Sequence, residues 1–74
     1  MNWREHITVD PNVCHGKPCF RGTRILVSVI LDNLAAGVPD AEIAQDYPGI
    51  EQEQLAAALA YAELARERVV SLMG

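Results

Sequence analysis

The sequence has no hydrophobic run long enough to cross a membrane and only two cysteines in 74 residues. A membrane-spanning helix needs about 18 or more consecutive apolar residues, so no membrane segment is predicted. The opening residues include Arg4, Glu5 and His6 where a signal peptide would be apolar, so we expect a cytoplasmic protein. Two cysteines without a secretion signal predict reduced thiols and not a disulfide framework.

Positive charge is also scarce. Six lysines and arginines stand against ten aspartates and glutamates, which gives a formal net charge of -4. A surface built as a whole to bind nucleic acid would have the opposite balance, so any basic site has to be local. The length allows one domain, and a core of this size seldom supplies more than about 3–5 kcal/mol, so small chains often add a partner subunit.

Residues 1–27 have the composition of strands and turns. Ile7–Val9 is a short β-branched run, and the Asp-Pro-Asn sequence at residues 10–12 predicts a reversal in which an Asx side chain bonds the backbone. A loop rich in glycine and proline follows, and Thr23–Val27 is again rich in β-branched residues. We therefore expect these two runs to be the strands of a β-hairpin that encloses a rigid loop.

Residues 28–74 have the apolar spacing of three helices. The first ends at Gly37, and the second begins at Pro39, with Ile43 and Ala44 facing inward. Tyr47-Pro48-Gly49 stops the second helix because the residue before a proline is pushed out of the α region. The third helix is predicted from Glu51 to about Leu72.

The third helix would be about 33 Å long at a rise of 1.5 Å per residue, which is longer than a domain of this size can cover. Its uncovered end predicts a homo-oligomer, such as a dimer, or a partner. The alternative is an exposed helix stabilised by the propensity of its alanines. The residues expected at the oligomer interface are Leu59, Ala62, Ala65, Val69 and Leu72.

The stretch ITVDPNVCHGKPCFRGTRILV, residues 7–27, resembles the signature of the prokaryotic domain-of-unknown-function family 433. The shared order is a β-branched strand, Asp-Pro, Gly-Lys-Pro and Arg-Gly-Thr-Arg, and residues 31–62 are similar to the helical half of the family. The resemblance implies a single, mainly α domain over residues 1–74. A short N-terminal β-hairpin would precede a three-helix, homeodomain-like helix-turn-helix with a long C-terminal helix.

The resemblance also implies a function. Members of the family are often taken to be antitoxin-like proteins, encoded beside a PIN-like ribonuclease toxin that they are thought to restrain. The chain departs from the family pattern at Pro39 and Glu51, where the family commonly has Ser or Thr as a helix cap. A lost cap costs about 1 kcal/mol, so these departures affect the first residue of each helix and not the fold.

The predicted partner-binding residues are Lys17, Arg21 and Arg24. They give the segment between Pro11 and Leu31, which has no acidic residue, a charge of +3. Arginine suits bidentate contact with carboxylate or phosphate, so we expect this loop to enter the acidic active site of a toxin. The alternative is that one arginine holds the loop to its own chain, for which Arg24 is the main candidate.

A DNA-binding autoregulator is the alternative function, because the third helix occupies the recognition position of a helix-turn-helix. Gln52 and Gln54 are the candidate nucleic-acid contacts, and Ala57 and Ala58 are further positions on that surface. Each neighbouring glutamate would repel a nearby phosphate by about 1 kcal/mol. DNA binding normally depends on basic residues that neutralise the phosphates. We therefore favour a protein-binding module over a DNA reader.

Neither a metal site nor an enzyme is predicted. Cys14, His15 and Cys19 lack the second paired cluster of a zinc site, so we expect small thiols that pack the loop and no cofactor. The carboxylates are scattered over different helices, and so small a chain lacks the walls to exclude water from an active site.

Overall fold

A computed structural model describes the backbone of residues 2–73 and the side chains of residues 2–64. Within this part, a 3-10 helix, Trp3–Glu5, precedes the strands, and a short turn, Cys14–Gly16, lies between them. The predicted mainly α fold with an N-terminal hairpin is confirmed. The strands and α-helices are β1 (Ile7–Thr8), β2 (Cys19–Phe20), α1 (Val27–Ala35), α2 (Asp40–Asp46) and α3 (Gln52–Met73).

The second strand lies earlier in the chain than the sequence predicted. β1 pairs antiparallel with β2, with Ile7 opposite Phe20 and Thr8 opposite Cys19. Of the predicted strand Thr23–Val27, residues 23–26 are instead a bend that leads into α1, which begins at Val27, and Leu26 forms an isolated bridge to Cys19. The prediction was wrong because strand propensity reports a half-buried environment, which tertiary contacts can supply to a bend as well.

The predicted helix ends are close to the observed ones. α1 ends in a Schellman motif, in which Val38 N–H donates to Asn33 at 3.1 Å and Gly37 N–H donates to Leu34 at 3.1 Å. Gly37 has φ +82, a conformation that a residue with a Cβ adopts at a cost. α2 and α3 begin one residue later than predicted, after Pro39 and Glu51.

The core lies where the hairpin meets the helices. Ala44 was predicted to face inward but is exposed, whereas Ile43 is fully buried. Ala57 and Ala58, predicted on the DNA-facing surface, are also fully buried, so these positions of α3 pack against the rest of the chain. The buried apolar cluster consists of Ile7, Phe20, Val27, Ile30, Ile43, Ile50, Leu55, Ala57 and Ala58.

The long third helix is confirmed, since α3 has 22 residues. Its first half carries the N-terminal 3-10 helix, where the rings of Trp3 and Tyr61 meet edge to face at 5.2 Å. None of the described helices is both long and apolar enough to cross a bilayer. Of the predicted oligomer interface, Ala65, Val69 and Leu72 lie outside the residues whose side chains are described.

Candidate partner-binding loop

The predicted reversal after β1 is confirmed. Asn12 N–H donates to the side chain of Asp10 at 2.8 Å, and Val13 N–H donates to the Asp10 carbonyl at 2.9 Å. One aspartate therefore closes an Asx turn and a β-turn together. This pair of bonds directs the chain into the loop that carries the candidate cations.

The segment that follows has a strained backbone. Cys14 has φ 52 and His15 has φ 56, and both are L-residues in the left-handed region. Such a conformation costs roughly 1–2 kcal/mol per residue. Lys17 N–H donates to the Cys14 carbonyl at 3.1 Å and closes the turn. Surrounding contacts therefore hold this turn in a shape that the isolated peptide would not favour.

Arg21 holds the loop to its own chain. Its Nη2 donates to the Arg4 carbonyl at 3.0 Å, and its Nε donates to the Glu5 carbonyl at 3.3 Å. Both acceptors belong to the N-terminal 3-10 helix. The sequence considered such a clamp mainly for Arg24, but the structure gives this role to Arg21, and the binding of a partner by Arg21 stays a prediction.

Replacing Arg21 with alanine is expected to lower the free energy of unfolding by about 1 kcal/mol, because two hydrogen bonds to exposed carbonyls are lost. Urea denaturation of the purified chain measures the change. Arg24→Ala is the matched control, since it removes the same charge from the same motif but should stay within about 0.5 kcal/mol of the wild type. Equal losses in the two variants would contradict the clamp.

The middle of the Arg-Gly-Thr-Arg motif also serves the fold. Gly22 has φ +80 in a turn that Thr23 N–H closes on the Phe20 carbonyl at 3.0 Å. The Thr23 hydroxyl donates to the same carbonyl at 2.8 Å and accepts from Ile25 N–H at 3.1 Å. This hydroxyl therefore bridges both ends of the bend, a role that the sequence analysis missed although threonine in a glycine turn is a known signal for it.

Lys17 and Arg24 are both exposed, but they line different clefts. The cleft beside Lys17 is apolar, has a volume of about 280 Å³, and is walled by Pro18, Val27, Ser28, Leu31 and Tyr61. The cleft beside Arg24 has a volume of about 380 Å³ and is shared with Thr8, Val13, Gly22 and Thr23. Among the described residues, neither cationic group has a hydrogen bond or an ion pair within the chain. Each is available to a partner.

Two thiols lie behind these cations. Cys14 Sγ donates to the Arg24 carbonyl at 3.4 Å, and Cys19 Sγ donates to the Thr23 carbonyl at 3.7 Å. The pKa of the Cys19 thiol is raised, chiefly by burial and further by the neighbouring Cys14 thiol and the Asp10 carboxylate. Cys19 is fully buried, as predicted for a packing thiol, whereas Cys14 is half-buried.

The helix-turn-helix surface is acidic. Gln54 Oε1 accepts from Glu51 N–H at 3.0 Å, which is the half of a capping box that satisfies the N–H group of the residue before the helix. Gln52 is exposed, and it lines a cleft of about 260 Å³ with the carboxylates of Asp40 and Glu51. Of the two candidate nucleic-acid contacts, Gln54 therefore accepts a hydrogen bond from the backbone at the start of its own helix, and Gln52 lies beside negatively charged residues.

Charge is divided between the two halves of the chain. Residues 25–65 contain seven aspartates and glutamates and no lysine, arginine or histidine. Residues 2–24 contain four of the six lysines and arginines and two acidic residues. The basic segment was predicted, whereas the lack of lysine, arginine and histidine from residue 25 to residue 65 was not; the next cations, Arg66 and Arg68, come in the second half of α3. The chain therefore has a cationic segment in residues 2–24 and an anionic segment in residues 25–65.

Comparison with known proteins agrees with this architecture. A family model described as "Protein of unknown function (DUF433)" matches residues 7–62. The chain belongs to this family. A crystal structure of a DUF433 member protein from Anabaena variabilis ATCC 29413 is similar, with a TM-score of 0.78 and 35% sequence identity over 92% of this chain and 67% of that one. The predicted family membership is confirmed.

A curated relative of this DUF433 chain is "Uncharacterized protein y4eO" of Sinorhizobium fredii (strain NBRC 101917 / NGR234), which is 33% identical over 60 residues. The match covers 81% of this chain and 27% of the relative, so the chain spans about a quarter of the length of that protein. Among the described side chains of this DUF433 chain, no group of three or more histidine, cysteine, aspartate or glutamate residues is placed to hold a metal ion.

Proposed function

We propose that the chain is an antitoxin-like, protein-binding module that restrains a PIN-like ribonuclease toxin in the cytoplasm. The observation that carries the proposal is the exposure of Lys17 and Arg24 on a loop whose backbone is fixed by its own hydrogen bonds. The choice of a toxin as the partner rests on the family resemblance, which the order of motifs in residues 7–27 supports.

Rigidity makes the loop suited to binding. The Asx turn, the Thr23 bridge and the Arg21 clamp fix the backbone before any partner arrives. A preorganised loop loses little conformational entropy on binding, so more of the contact energy contributes to affinity. The backbone positions of the two cations are therefore fixed relative to each other before a partner binds.

The positions of the two cations favour a concave anionic partner. Lys17 and Arg24 line separate clefts, so a flat acidic surface would meet one cation better than the other. A recess lined with carboxylates, of the kind that binds metal ions in a nuclease active site, surrounds an inserted loop and can reach both. The ammonium and guanidinium groups would replace the charge of the metal ions or exclude the anionic RNA substrate.

A double variant tests this proposal. Lys17→Ala with Arg24→Ala is expected to weaken the binding of the toxin encoded beside this chain by about a hundredfold, at roughly 1.4 kcal/mol for each lost cation. Isothermal titration calorimetry and an RNA cleavage assay measure affinity and restraint. Arg4→Ala is the matched control, since it removes one exposed cation outside the loop, from a position over the Trp3 ring.

The controls separate the loop from general charge effects. We expect Arg4→Ala to bind within about threefold of the wild type and the wild-type affinity to fall as salt is raised. Unchanged restraint by the double variant would remove the loop from the mechanism. Arg21→Ala is not included in the double variant because it would lower the stability of the fold as well as remove a cation, and the two effects on binding could not be separated.

The alternative function, DNA-binding autoregulation, has less support. A helix-turn-helix needs cations near the phosphates, and residues 25–65 supply none. Asp40, Glu51 and Glu53 are exposed at the N-terminal ends of α2 and α3, the ends that would approach the duplex. A gel shift of the chain's own promoter distinguishes the two functions, because the alternative requires a retarded band that weakens steeply with salt.

Self-association through α3 is part of the same proposal. Leu59, a predicted interface residue, is 55% exposed, and Ala62 is half-buried. The exposed part of the Leu59 side chain is accessible to another helix. The homo-oligomer stays a prediction that the molar mass of the purified chain in light scattering will decide.

A further inference from the structure

The two cysteines are brought together by the fold. Their sulfur atoms donate to the carbonyls of two consecutive residues, Thr23 and Arg24, at 3.7 Å and 3.4 Å. The Cys14 thiol is also one of the groups that raise the pKa of the Cys19 thiol, an effect that requires the two groups to be near each other. The two thiols therefore lie close together, beside consecutive carbonyls of the bend.

The chain between the thiols is bent back on itself. A hydrogen bond of 3.1 Å from Lys17 N–H to the Cys14 carbonyl makes residues 14–17 a closed turn. Cys19 then leaves this turn as the first residue of β2, paired with Thr8. Cys14 and His15 both have a left-handed backbone within this turn.

The two thiols differ in their access to solvent. Cys14 is half-buried at the surface of the loop, whereas Cys19 is 0% exposed in the core. Burial raises the pKa of the Cys19 thiol, so this cysteine stays protonated at neutral pH. A dissolved oxidant therefore meets Cys14 first, and Cys19 stands behind it as a resolving thiol.

We propose that Cys14 and Cys19 form a reversible intramolecular disulfide when the protein meets a hydroperoxide. In the first step, the Cys14 thiolate attacks the distal oxygen of the peroxide, the O–O bond breaks, and a sulfenic acid forms. The leaving alkoxide or hydroxide takes up the proton that the Cys14 thiol had released to solvent and becomes one alcohol or water molecule. In the second step, Cys19 sulfur attacks Cys14 sulfur, the S–O bond breaks, and water leaves with the proton of the Cys19 thiol. The two thiols are oxidised by two electrons, and one peroxide is reduced by two.

The disulfide changes the loop that carries the cations. Neither sulfur retains a hydrogen to donate, so the bonds to the Thr23 and Arg24 carbonyls are lost. The segment that includes Lys17 becomes part of a covalent ring from Cys14 to Cys19. The formation of this bond does not depend on the proposed function, since it requires only the folded chain and an oxidant.

Peroxide treatment of the folded chain tests the inference. The wild type is treated with hydrogen peroxide, alkylated, digested and analysed by mass spectrometry without reductant. We expect complete conversion to a disulfide that links the peptides of Cys14 and Cys19, and complete recovery of both thiols after dithiothreitol. In Cys19→Ala, the disulfide is lost, and a sulfenic acid at Cys14 reacts with a dione trapping reagent.

A second variant keeps the test independent of folding defects at the buried position. In Cys14→Ser, which changes the half-buried residue, Cys19 is expected to stay a free thiol through the same treatment because no oxidant reaches it. Circular dichroism confirms that each variant is folded. The inference is overturned if Cys14 of the wild type goes on to sulfinic acid while Cys19 stays reduced, if the disulfides join different molecules, or if both thiols survive unchanged.

Discussion

Replacing Phe20 with alanine is expected to leave most molecules unfolded at room temperature. The Phe20 side chain is 1% exposed and lies opposite Ile7 in the hairpin, inside the cluster that joins the hairpin to the helices. Truncation of a core phenylalanine costs about 3–5 kcal/mol, and a core of this size supplies about the same. Far-UV circular dichroism is expected to show the loss of most helical signal.

The control for this prediction is Val9→Ala, because Val9 follows β1 directly and is 59% exposed. Its free energy of unfolding should stay within about 0.5 kcal/mol of the wild-type value. A cooperative urea transition of the Phe20 variant at the wild-type midpoint would mean that the hairpin contributes little to the core. In that case the helices would hold the fold without it.

Replacing Thr23 with valine is expected to lower the free energy of unfolding by about 2–3 kcal/mol. Valine has nearly the same shape, but it can neither donate to the Phe20 carbonyl nor accept from Ile25 N–H. A part-buried donor left without its acceptor costs about 1–3 kcal/mol, and the lost bond to the carbonyl adds to this. Urea denaturation measures the total, and amide exchange should become faster at Ile25.

Thr8→Val is the matched control for the Thr23 variant. Thr8 is a half-buried threonine of β1 whose hydroxyl has no hydrogen bond among the described residues. Its replacement removes the same hydroxyl, so we expect a change within about 0.5 kcal/mol. Similar stabilities of the two variants would show that the Thr23 bridge does not hold the bend in solution.

Local signals in the sequence predicted most of the helical half. The helix stop at Gly37 and the turn at Tyr47-Pro48-Gly49 depend on residues within a few positions of each other. The Asx turn at Asp10 is equally local, since its bonds reach only Asn12 and Val13. Such features are readable because the interacting groups are neighbours in the chain whatever the rest of the fold does.

The strand pairing could not be read in this way. Thr23–Val27 has a better strand composition than Cys19-Phe20, yet Cys19-Phe20 forms β2. The deciding features are the burial of Phe20 and its pairing opposite Ile7, and both depend on residues that are far apart in the sequence. Propensity describes one residue at a time, so it does not report which segment fits the space between β1 and the helices.

The roles of the two arginines in one motif show the same limit. Arg21 and Arg24 have the same charge and similar neighbours, and the sequence offered Arg24 as the main candidate for an internal clamp. The structure places the guanidinium of Arg21 on the carbonyl of Glu5, 16 residues away, and leaves Arg24 exposed. Between them lies Gly22, whose φ of +80 belongs to a turn of the backbone.

The sequence by itself determined the mainly α architecture, the helix ends to within two residues, the local basic segment and the family. These properties follow from composition and from patterns within a few residues. Tertiary structure alone decided which strand pairs with β1, which arginine binds the backbone, and that Cys14 and Cys19 lie beside consecutive carbonyls of one bend. Each of these depends on the distance between groups that the folded core brings together, and a one-dimensional pattern carries no such distance.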